Sequence, residues 1–223
     1  MANPQGARGS LAETLVTQFF NDFYPPEQEE EGLLWSRIRG KGSRDEGDVF
    51  GPFTSIEVKN YTSRVPISSS LLANAERKAE FSKRRFWFLV SKPPGLGAKR
   101  VNKWPVITNV ESAIEMFELP LSVDDVEALV LSGGETEGDV TCFKAEGTVP
   151  FSLTGLNTYT KTFPKFRSIV GEKGEELSLV ALPRKGEKRV TMEPAKWFVV
   201  STLGDLAWYF QKGGILPLES QDK

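Results

Sequence analysis

The 223-residue chain contains no histidine. That absence removes Ser-His-Asp triads, Cys-His pairs, imidazole general bases and His-ligated zinc from the chemistry open to it. Cys142 is the only cysteine, so neither an internal disulfide nor a thiolate metal cluster can be assembled. Carboxylates, lysines, tyrosines and hydroxyls are left, and a metal they hold would be a hard cation bound through oxygen, Mg²⁺ or Mn²⁺. No run of about 18 apolar residues is present to cross a bilayer, which predicts no membrane partner. MANPQGARGS at the start lacks the apolar stretch of a secretory signal. The expected location is the cytoplasm.

A large net charge is also missing: the formal value is −2. The average hides a segregation. From Arg77 to Lys103 nine basic residues face Glu80 alone, a local charge of +8; from Glu111 to Glu146 ten acids face Lys144 alone, a local charge of −9. A basic half beside an acidic one suits a phosphate-binding surface with a remote appendage, and equally suits two ordinary solvated faces. With 39% hydrophobic and 26% charged residues, the chain can bury a core, as one domain or as a core carrying an insertion.

Ser10-Leu11-Ala12-Glu13 reads as a capping box ahead of Leu15, Val16, Phe19, Phe20 and Phe23, which predicts a helix over 11–23 ended by Pro25-Pro26. GLLWSRIRG is a strand bearing Arg37 and Arg39, GKGSRDEGD is turn chemistry, a second strand begins near Asp48, and SIEVKN follows the Gly51-Pro52 turn as a third. Ser68 to Ser70 offer caps for a helix over 71–84, and FWFLVSK is apolar enough for a buried central strand. Thr108 with Glu111 and Ser122 with Asp125 begin two short acidic helices, the second closed by Gly133-Gly134. SLVAL and RVTM are strand-like. KWFVV is a strand, and Thr202 with Asp205 caps the helix LGDLAWYFQK, which Gly213-Gly214 ends.

In TSIEVKN, Glu57 and Lys59 are two residues apart, so a pleated strand points both to one face, with Asp48 on the strand before. Phosphodiester hydrolysis needs a water made nucleophilic near neutral pH and a counter-charge for the phosphate oxygens, and a divalent cation supplies both. Asp48 and Glu57 could hold Mg²⁺ if the hairpin brings them to one edge. Lys59 could orient or help deprotonate the water and stabilise negative charge. Arg37, Arg39, Lys41 and Arg44 lie on the approach and could grip phosphates, as could Lys92 at the end of its strand; long solvated side chains are the alternative for each.

Asp48, eight intervening residues, then Glu57-Val58-Lys59 resembles the signature of the PD-(D/E)XK nuclease superfamily, with Gly47 where a proline is usual. Gly9 to Glu13 is similar to the G-x-x-x-E setting of its helix glutamate. ANAERKAE and FWFLVSK are similar to the helix and strand after the signature in Holliday-junction-resolvase-like and phage-type members, and KWFVVSTLGDLAWYF to the closing strand and helix. The resemblance implies a restriction-endonuclease-like α/β fold, a mixed β-sheet core flanked by helices. On it, 8–103 with 193–214 form the nuclease core, and 104–192 form a large α+β insertion whose removal should leave the metal site folded. It implies Mg²⁺- or Mn²⁺-dependent cleavage of branched or duplex DNA, often by a homodimer, in the host cytoplasm if the source is viral. Asp48, Glu57, the Val58 carbonyl and Glu13 would be metal ligands and Lys59 the catalytic lysine. Glu13 is alternatively explained by its place in the capping box. The competing reading is a catalytically silent DNA-binding or assembly protein on the same fold.

Overall fold

The computed structural model describes residues 4–23, 35–38, 47–51, 53–60, 69–133, 141–145, 149–157, 176–184 and 192–212. In chain order the helices are α1 (Pro4–Phe23), α2 (Ser69–Phe81), α3 (Val110–Met116), α4 (Val123–Ser132) and α5 (Leu203–Gln211). The strands are β1 (Ser36–Arg37), β2 (Val49–Gly51), β3 (Thr54–Asn60), β4 (Phe86–Lys92), β5 (Pro105–Asn109), β6 (Thr141–Ala145), β7 (Phe151–Gly155), β8 (Leu177–Leu182) and β9 (Phe198–Thr202). They form one mixed sheet in the order β1-β2-β3-β4-β5-β9-β8-β7-β6, flanked by helices. The protein is therefore α/β. No helix among the described residues is long and apolar enough to cross a membrane.

The first three strands are an antiparallel meander, as the turn residues predict, and β4 then runs parallel to β3. That parallel step requires a crossover, which α2 provides. Strand alternation sends the two sides of the sheet to different cores. Ile56, Val58, Val49, Phe88 and Val90 pack with α1, α3, α4 and α5, while Trp87, Leu89, Ile107 and Val200 pack with Leu72, Ala75 and Ala79 of α2. β4 is buried on both sides, which explains its unbroken apolar sequence.

α1 begins at Pro4, seven residues before the expected start. Proline is well suited to a first helical turn, where its missing N–H costs nothing. Ser10 and Glu13 therefore lie inside the helix, Ser10 giving its carbonyl to Thr14 at 2.9 Å, and they are not a capping box. At its far end α1 grips β1: Asn21 donates to the Trp35 carbonyl at 3.1 Å and accepts from the Trp35 N–H at 2.9 Å, and Phe20 stacks on the Trp35 ring with centroids 4.0 Å apart. Gly51 lies beneath that ring, where a Cβ would collide with it.

The division at 103/104 does not fall at a break in the structure. β5 is hydrogen-bonded between β4 and β9, and β8, β7 and β6 extend the same sheet. The core under α1 draws on Val106, Val110, Val126, Leu153 and Leu179 as well as on Val16 and Phe210. The segment expected to be a separable insertion thus completes the sheet and shares its core. Smaller differences follow from local chemistry. The cap of α3 is Asn109, accepting from Ser112 N–H, in place of Thr108; the Ser122–Asp125 capping box, the Gly133 stop and the Thr202 cap are where the sequence puts them. Most of RVTM, and Gly213-Gly214, lie outside the described residues.

Candidate active site

Asp48 precedes β2 and stands across from Glu57 of β3 by continuation of the register Val49 to Ile56. The Asp48 N–H donates to the Ile56 carbonyl at 3.0 Å. Two residues on, the Val58 N–H points the same way and donates to Asp48 Oδ2 at 2.7 Å. The Val58 carbonyl shares that direction, because a strand residue directs both backbone groups toward one neighbour. Asp48, Glu57 and Lys59 share the sheet face that α2 covers, and Phe50, on the same face of β2, lies under the Arg84 guanidinium at 4.8 Å.

Gly47 accounts for the missing proline. Its φ is +115°, a conformation glycine adopts freely and a proline ring, fixed near −65°, cannot reach.

Glu57 is 1% exposed, an environment that ionised carboxylates occupy only when paired. Both of its oxygens are taken: Lys59 Nζ meets Oε1, and Lys78 Nζ, from α2, lies 2.6 Å from Oε2. Lys78 is itself 4% exposed. The Asp48 carboxyl is pushed up to about 6 by burial first and by the Glu57 charge second, against the Val58 N–H and the two lysines, which favour its charged form.

Lys78 escaped the sequence reading, which counted it only among the basic residues of 77–103. Its signal was positional. It falls three residues after Ala75 and one before Ala79, on the stripe by which α2 packs against the sheet, so a lysine there must be buried and must find an acid.

Glu13 and Arg37 stand apart from this group. Arg37 pairs in register with Val49 and shares its face, the α1 side of the sheet, opposite to Glu57. There Arg37 Nε donates to Glu13 Oε2 at 2.6 Å. The structure brings Asp48, Glu57, Val58 and Lys59 together and puts Glu13 into an ion pair with Arg37. Lys92 ends β4 beside Asn60, its register partner. Arg39, Lys41 and Arg44 lie outside the described residues.

Two carboxylates on adjacent strands and a main-chain carbonyl make an all-oxygen donor set. That chemistry fits Mg²⁺ or Mn²⁺ and suits no soft metal. Among the described residues no group of three or more carboxylate, thiolate or imidazole side chains converges, so Asp48, Glu57 and Val58 are the donors this set offers. No family model matches the chain, and no curated protein or solved structure matches it either.

Proposed function

We propose that this chain is a metal-dependent deoxyribonuclease of the PD-(D/E)XK type, hydrolysing phosphodiester bonds in branched or duplex DNA in the manner of a Holliday-junction resolvase. The observation that carries the reading is the placement of Asp48, Glu57 and Lys59 on one face at the end of the β2–β3 hairpin, with the Asp48 carboxylate fixed on the Val58 N–H. Asp48 and Glu57, with the Val58 carbonyl, would hold Mg²⁺ or Mn²⁺, which supplies an activated water and a counter-charge for the phosphate. Lys59 orients that water and stabilises charge on the reacting phosphate.

Phosphate-backbone contacts fall to the segment after β4. Residues 92–103 contain Lys92, Lys99, Arg100 and Lys103 and no acid, and Lys99, Arg100 and Lys103 are exposed. They start beside Asn60, next to Lys59 in the chain, so a duplex held there passes the site. A homodimer would present two such sites, one for each strand.

The second reading, a DNA-binding or assembly protein that does not cut, is favoured by one feature: both Glu57 oxygens are held by lysines. The test is incubation of the purified protein with Mg²⁺ and branched, duplex and single-stranded DNA. Cleavage that stops with EDTA is expected. Salt-dependent binding without cleavage of any substrate would favour the second reading and overturn the first.

A further inference from the structure

We infer that Phe53 is a stacking platform for an unpaired nucleobase, a feature that selects forked or branched DNA over blunt duplex. This rests on DNA being the ligand, as the proposed function has it, and does not depend on cleavage.

Phe53 sits in the turn between β2 and β3 with a φ of +52°. That left-handed region suits glycine, and for a bulky residue it is an outlier that costs stability. Little burial offsets the cost: Phe53 is 40% exposed and belongs to neither hydrophobic core. Backbone strain of this kind collects at ligand contacts.

A second exposed ring lies at the same end of the sheet. Phe81, 57% exposed, is the last residue of α2, and the chain leaving that helix returns to the β2–β3 turn. The Arg84 N–H donates to the Ala79 carbonyl at 2.9 Å, the Arg84 guanidinium reaches the Gly51 carbonyl at 3.4 Å, and the Phe86 N–H donates to the Phe53 carbonyl at 2.9 Å. Of the three non-glycine residues in the left-handed region among the described residues, two, Phe53 and Lys83, are here.

The surrounding charge chooses the occupant. Phe81-Ser82-Lys83-Arg84-Arg85 carries three bases and no acid, and Glu80 precedes it. Lys83 and Arg85 are exposed. Arg85 has a half-exposed partner in Glu115, a pairing that a phosphate can displace at little cost. Aromatic faces beside cations make the surface that holds unpaired nucleic acid, with bases on the rings and phosphates on the cations. An apolar contact with another protein would have to desolvate the same cations. Position agrees with the site: Phe53 stands four residues before Glu57, about 13 Å at the rise of a strand and about four steps of a DNA strand. DNA with a phosphate at Asp48 and Glu57 therefore reaches Phe53 within a few nucleotides.

Binding in EDTA, where metal-dependent cleavage is stopped, tests this on two forked duplexes that differ only in whether the unpaired arm carries bases or abasic sites. The wild type should hold the fork with bases about tenfold more tightly, the scale of one base–aromatic stack. Phe53→Leu keeps an apolar side chain and loses the ring. It should lose that preference while binding the abasic fork as the wild type does, which also shows it folded. Phe53→Trp should keep the preference. The same preference in wild type and Phe53→Leu, or none in the wild type, overturns the platform. A preference that disappears in Phe53→Leu supports it even if Mg²⁺ brings no cleavage, so failure of the nuclease reading is distinguishable. A wild type that binds neither fork overturns both the platform and the DNA reading.

Discussion

On the proposed nuclease function, Lys59→Ala is expected to lower the rate of Mg²⁺-dependent DNA cleavage by about a thousandfold while DNA affinity changes little. The size follows from what that proposal asks of the amine. Orienting and deprotonating a water is worth roughly a hundredfold to ten-thousandfold, and a cation placed against developing phosphate charge contributes on a similar scale. The two overlap in one group, so they do not multiply. Backbone contacts spread along residues 92–103 should carry most of the affinity, and one half-buried lysine adds little to it. Lys59→Arg should not restore the rate, because a guanidinium stays protonated and its planar fork does not fit a point-charge role. Single-turnover cleavage of a labelled branched substrate measures this directly, and a rate within a fewfold of wild type would remove Lys59 from the chemistry.

Deleting residues 105–192 is expected to abolish cooperative folding. The cut removes β5 from between β4 and β9, together with α3, α4 and β6 to β8. It also strips Val106, Val110, Met116, Val126, Val130, Leu153, Leu177 and Leu179 from the core beneath α1. Each such side chain contributes on the order of 1.5–3 kcal/mol when buried, against a total stability of roughly 5–15 kcal/mol for a domain. The loss exceeds what the remainder can supply. Thermal unfolding followed by circular dichroism should show no cooperative transition in the deleted chain; a sharp transition would establish 104–192 as separable after all.

The difference between these two predictions reflects what a sequence carries. Asp48, Glu57 and Lys59 were legible because strand parity is local: residues two apart share a face, and a short turn pins the neighbouring strand. Phe86 to Lys92 was legible for the same reason, as an apolar run too short for anything but a buried strand. The capping box at Ser10 and Glu13 was a local pattern that the longer helix overrides, and the ligand role implied for Glu13 by the resemblance meets an ion pair with Arg37 on the other face of the sheet. The helix instead starts at Pro4, and which sheet face Glu13 reaches is decided by the packing of Phe20 and Asn21 on Trp35. Lys78 needed the same non-local information, since only the docking of α2 reveals that its ammonium ends on Glu57. Pro105 to Asn109 is five residues of strand whose place, between β4 and a strand nearly a hundred residues later, is a pairing no local pattern encodes.

The account depends on Asp48 and Glu57 sharing one cation, and crystals equilibrated with Mn²⁺ test that most directly. The expected result is an anomalous peak bounded by both carboxylates and the Val58 carbonyl, and no peak in Asp48→Ala crystals. Clear density for both carboxylates with no peak between them would contradict the account.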